Sequence, residues 1–112
     1  MCLDIIPVSG ALGAEIHNLD LANLSDAEFS QIRQAFWDYG VIFFRDQSLT
    51  PEQHIAFAEQ WSTINVKCFF KQLDGYPKIA EVRKEPDQKN NIGRQWHTDH
   101  SYDQIPAIAS IL

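Results

Sequence analysis

The sequence is short of several things, and each shortage removes a class of answers. Cysteine is scarce: Cys2 and Cys68 stand far apart, with no Cys-x-x-Cys pair. Neither a disulfide framework nor a thiolate zinc site fits that usage. Basic residues are not in excess, since 9 Lys and Arg face 15 Asp and Glu for a formal charge of −6. A phosphate backbone selects a basic face, so no nucleic-acid partner is expected. No apolar run approaches the roughly 18 residues a membrane span needs. Met1-Cys2-Leu3-Asp4 lacks a basic stretch leading into an apolar one, so no secretory leader is expected and a reduced, cytoplasmic chain is the simplest reading. Internal repeats, low-complexity tracts, a Gly-rich phosphate loop and a nucleophile elbow are also missing from the sequence.

What is there suits one small domain. The 112 residues are 45% hydrophobic and 12% aromatic, with seven Phe and three Trp to fill a modest core. Ala14 to Ile16 reads as a short strand after turn signals at Gly10 and Gly13. Ser25-Asp26-Ala27-Glu28 is a capping box, and its acidic first turn suits the helix dipole. Phe29, Ile32, Phe36 and Tyr39 then form one apolar stripe, and Gly40 is free to end the helix. Val41 to Phe44 predicts a strand buried on both faces. Thr50, Pro51 and Gln53 start a second helix, with Phe57, Ala58 and Trp61 facing inward.

Val66 to Phe70 and Ile79 to Val82 are shorter strand candidates. Arg83 to Gln95 reads as a polar surface loop leading into a strand that carries His97. Ala107 to Leu112 looks like the opening of another strand. An apolar strand left without an edge partner is unfavourable, so the chain is expected to be the front part of a longer protein.

The chemistry concentrates in Trp96-His97-Thr98-Asp99. In an extended strand, residues i and i+2 share a face. His97 and Asp99 would therefore aim an imidazole nitrogen and a carboxylate oxygen at one point. Such a pair supplies two parts of a 2-His-1-carboxylate iron site, which leaves open positions for oxygen and substrate. The third donor is not evident. His100 falls on the other strand face, and His17 and His54 lie in the opening strand region and on a helix. A surface His hydrogen-bonded to a neighbour is the plainer reading of the pair taken alone. Glu52, Glu59 and the charges from Glu81 to Asp87 read as solvated faces.

The segment Trp96-His97-Thr98-Asp99-His100-Ser101-Tyr102 resembles the metal-binding segment of the TauD/TfdA family of Fe(II)- and 2-oxoglutarate-dependent dioxygenases. Tyr39 to Gln47, then Leu49 to His54, resemble the family's strand-and-helix signature. Gly13 to Ile16 with Leu19-Asp20-Leu21 resembles its opening. The resemblance implies an α+β fold: the N-terminal portion of a double-stranded β-helix, a cupin-like jelly roll with flanking helices. Residues 1–112 would be a single incomplete domain. It implies Fe(II) held by His97 and Asp99, and 2-oxoglutarate as co-substrate decarboxylated to succinate while molecular oxygen hydroxylates a small organic substrate.

In the family, a distal His, an Arg and a Thr that complete the site lie beyond the position of Leu112, so the chain alone is expected to be inactive. Positions matching the family's sulfonate-binding residues are Lys67, Phe70 and Gly93. All three differ from the taurine pattern, which leaves sulfonates, aryloxy acids and other small anions as candidate substrates. Self-association is a further expectation. Two alternatives remain at this point: a non-catalytic fragment or interaction module that keeps the front half of the fold, and a zinc-binding cupin-like protein.

Overall fold

A computed structural model describes residues 3–66, 71–99, 101 and 103–112. The chain divides into two compact units, Met1–Phe57 and Ala58–Leu112.

The first unit is a small mixed sheet covered by a helix. Strand β1 (Asp4–Pro7) runs antiparallel to β2 (Ala14–His17), with Ile5 opposite Ile16. The turn between them is closed by Val8 N–H donating to the Gly13 carbonyl at 3.1 Å and Leu12 N–H donating to the Ser9 carbonyl at 2.9 Å. Strand β2 then pairs in parallel with β3 (Ile42–Phe43). Parallel neighbours need a long crossover. Here it contains a 3₁₀ turn at Leu21–Asn23 and helix α1 (Asp26–Tyr39). The reading of the sequence missed β1 and the 3₁₀ turn, both too short for a periodic signal.

Local chemistry sets the ends of α1. Glu28 N–H donates to the Ser25 hydroxyl at 3.2 Å, and Ser25 N–H donates to the Glu28 carboxylate at 3.1 Å. These bonds satisfy amides that a helix start would otherwise leave open. Gly40 ends the helix at φ +73°, donating its N–H to the Phe36 carbonyl at 2.8 Å. Helix α2 (Pro51–Trp61) has the same kind of reciprocal cap between Thr50 and Gln53. Both helices start where the sequence predicts.

The core gathers Leu3, Ala14, Ile16, Ile32, Ala35 and Phe57. Phe57 also receives edge-to-face contacts from Phe29 and Phe44, each at 6.3 Å between centroids. Phe36 and Tyr39 are only half-buried, because Ile32 and Ala35 are the helix positions turned most fully inward.

The second unit holds a hairpin, β4 (Lys71–Leu73) with β5 (Tyr76–Glu81), tightened by a bulge between Gln72 and Leu73. Three expectations are corrected here and in the first unit. Val41 to Phe44 is a two-residue strand, half-buried rather than enclosed, because Val41 is 52% exposed and β3 has one strand neighbour among the described residues. The described residues around His97 form no strand, and neither do Ala107 to Leu112. A strand exists through its ladder, and these segments meet no pairing edge among the described residues. Of the strand expected at Val66 to Phe70, Val66 lies in no element and the rest is outside the described residues.

Candidate functional site

His97 and Asp99 converge without the strand expected to bring them together. His97 Nε2 lies 3.2 Å from Asp99 Oδ1, and both side chains are more than half exposed. The other ring nitrogen explains the orientation. His97 Nδ1 is 2.6 Å from the Gln95 carbonyl oxygen, which can only accept, so the proton sits on Nδ1. That bond orients the ring and turns Nε2 toward the carboxylate. An imidazole nitrogen and a carboxylate oxygen this close can share a proton or a cation.

The spacing is suitable for a cation. Metal–ligand bonds of roughly 2.1 Å set at right angles place two donors about 3.0 Å apart. An imidazole nitrogen with a carboxylate oxygen is also a donor set suited to a divalent ion of intermediate hardness. Among the described residues, no group of three or more His, Cys, Asp or Glu side chains could hold a metal ion. The geometry therefore offers two protein donors on one exposed loop.

The loop is organised by short-range bonds. The hydroxyls of Thr98 and Ser101 meet at 2.6 Å, and Arg94 Nη1 donates to the Asn90 amide oxygen at 3.1 Å. Gly93 has φ +71°, and a β-carbon built there would stand 3.4 Å from His97 Cε1 and 3.9 Å from Nε2. Glycine thus leaves the Cε1–Nε2 edge of the imidazole open. An open hollow of about 370 Å³ adjoins it, lined by Gly93, Arg94, Trp96 and His97 among others.

Of the other expected positions, Lys67, Phe70 and His100 lie outside the described residues. His54 is half-buried on α2. His17 Nε2 sits 3.3 Å from Glu15 Oε1, to which Arg45 Nε also donates at 2.7 Å. That trio ties β2 to the chain following β3 and takes no part in the His97 loop. The sequence reading missed the Gln95 carbonyl, since a backbone acceptor carries no residue-type signal. It also passed over Arg94, which lines the same hollow as His97.

An (S)-phenoxypropionate/alpha-ketoglutarate-dioxygenase from Sphingobium herbicidovorans is 30% identical, over 96% of this chain and 39% of that protein. A taurine dioxygenase structure from Burkholderia xenovorans is 39% identical, covers 67% of this chain and 27% of that one, and superposes with a TM-score of 0.61. AAD-2, crystallised in complex with Mn(II) and N-oxalylglycine, is 30% identical over 56% of this chain and 25% of that one, with a TM-score of 0.53. The chain thus spans well under half the length of these relatives. Residues 4–112 match the family described as taurine catabolism dioxygenase TauD, TfdA family, and the chain belongs to it.

Proposed function

We propose that the protein acts as an Fe(II)- and 2-oxoglutarate-dependent dioxygenase that hydroxylates a small organic anion. The observation that carries this reading is the 3.2 Å approach of His97 Nε2 to Asp99 Oδ1, with Nδ1 held by the Gln95 carbonyl. It is supported by the phenoxypropionate and taurine dioxygenases among the relatives, and by the Mn(II) and N-oxalylglycine of AAD-2. N-oxalylglycine differs from 2-oxoglutarate by an NH in place of one methylene, so it is a natural stand-in for the co-substrate.

In this proposal His97 and Asp99 hold the iron, and donors from outside residues 1–112 complete its shell. The jelly roll, of which these residues would form the front part, supplies the frame. Bound iron and 2-oxoglutarate supply oxygen activation and the electrons for it. The chain's residues do the rest. The Gln95 carbonyl keeps the Nε2 lone pair presented, and Asp99 adds a negative charge that favours a divalent ion. Gly93 leaves room for substrate beside the ring. Both ligand side chains are exposed here, so cover over the loop is required to exclude water during reaction. A reduced cytoplasm would keep the iron ferrous, and self-association is one way to provide cover.

Mn(II) titration followed by electron paramagnetic resonance tests the site in the intact enzyme. His97→Ala and Asp99→Ala should each weaken binding by more than the roughly 10–100-fold typical of losing an outer-shell partner. Succinate formation should be abolished in both. Metal binding and turnover at the parent's level in both variants would overturn the assignment. A parent protein that binds no metal and turns over no 2-oxoglutarate would favour the non-catalytic module instead.

A further inference from the structure

The loop before the metal position carries charge of the opposite sign to the rest of the chain. Residues 83–95 contain four basic and two acidic residues, in a protein of net charge −6. The two acidic residues do not neutralise this charge evenly. Arg83 is taken up by carboxylates, with Nε 2.6 Å from Glu85 Oε1 and Nη1 3.9 Å from Glu81 Oε1. Lys84 and Arg94 are held differently. Lys84 Nζ donates to the Asn91 amide oxygen at 2.6 Å, and Arg94 Nη1 donates to the Asn90 amide oxygen at 3.1 Å. An amide oxygen orients a cation without cancelling its charge. Among the described residues, neither Lys84 nor Arg94 has a carboxylate within ion-pair distance.

Position makes this charge useful. Arg94 and Asn91 line the hollow that His97 also lines. A guanidinium keeps four further N–H donors after one bond, in a planar fork that matches a carboxylate or sulfonate. Gly93, between these groups and the imidazole, adds no side chain to block the path.

We propose that Arg94, supported by Lys84 behind Asn91, is the anion-binding lip of the site and anchors the substrate's carboxylate or sulfonate beside His97. The inference rests on the dioxygenase reading and assigns it a substrate-positioning residue. Anchoring the charged end sets which carbon of the substrate lies next to the metal position. It also makes substrate capture sensitive to ionic strength, because the lip is exposed.

Calorimetric titration of the Mn(II)-loaded, 2-oxoglutarate-loaded enzyme without oxygen tests the proposal, with phenoxyacetate and ethanesulfonate as anionic probes and phenoxyethanol as the uncharged control. Arg94→Ala should raise the Kd of at least one anion roughly 10–100-fold, as expected for losing a charged hydrogen-bonding partner. Phenoxyethanol binding should not change. Arg94→Lys should recover part of the loss, and Lys84→Ala should give a smaller effect of the same sign. In turnover, the change should appear in the KM of the anionic substrate and not in that of 2-oxoglutarate. The two anions distinguish a carboxylate from a sulfonate ligand.

Unchanged anion binding in Arg94→Ala would overturn the proposal. So would a parent that holds neither anion, or a loss confined to 2-oxoglutarate. Mn(II) binding serves as the separate control: if the parent binds Mn(II) and Arg94→Ala has no effect, the lip is wrong and the metal site stands. If the parent binds no Mn(II), the dioxygenase reading itself fails.

Discussion

Residues 1–57 and residues 58–112 are built on different principles. Every buried hydrophobic side chain among the described residues, from Leu3 to Phe57, belongs to the first unit. Its hydrogen bonds reach far along the chain: Leu3 N–H to the Gln31 side chain, Leu21 N–H to Gln47, and Arg45 to Glu15. The His97 loop of the second unit relies on partners two to seven residues away. Long-range contacts fix a fold because they tie distant segments together, the cost of closing those loops being offset by the buried core. Short-range ones shape a loop but leave it easy to open. The difference teaches that stability and chemistry are separated in this chain. The scaffold signature sits where the core is, and the candidate ligands sit where almost nothing is buried.

Substitutions can break or sharpen that comparison. The largest effect on stability is expected at Ile32, which is fully buried on α1. Ile32→Ala should cost about 2–5 kcal/mol in denaturant unfolding, through lost transfer energy and the cavity left behind. A cost below about 1 kcal/mol would mean that the first unit lacks the core described.

Gly40 comes next. Its φ of +73° suits glycine, and a β-carbon there would lie 3.0 Å from Leu12 Cδ1. That contact involves a flexible methyl, so backbone strain dominates. Gly40→Ala should lower stability by about 1–3 kcal/mol, whereas an unchanged unfolding midpoint would show that the helix stop tolerates a side chain.

The smallest effect is at Asp20, which caps the 3₁₀ turn. The Asn23 side chain, followed by the Ala22 amide, donates to its carboxylate and holds its pKa below the ordinary 3.8. A lowered native pKa stabilises the fold above the ordinary carboxylate range, and that contribution disappears as pH falls through the lowered value. The Ala22 amide shift, followed by NMR during acid titration, should therefore move with a midpoint below 3.8. A midpoint at or above it would remove the cap's role.

Much of the first unit was legible because its signals are local. Ser25 with Glu28, and Thr50 with Gln53, announce helix starts within four residues, and the structure forms both caps. The strand expected at Val41 to Phe44 was read too generously, since four apolar residues in a row do not say how many neighbours will cover them. The His97 and Asp99 pairing was anticipated through strand alternation, yet it arises in an irregular loop through the Gln95 carbonyl. The residue types were informative, and the backbone reason was not.

The sequence by itself determined the family, both helix starts, the end of α1 and the identity of the two candidate ligands, because each depends on residue type at short spacing. Tertiary structure alone decided that β2 pairs in parallel with β3 and that Ala35, outside the expected stripe, faces the core. Those outcomes depend on which distant segments meet, and a linear pattern does not encode the partner.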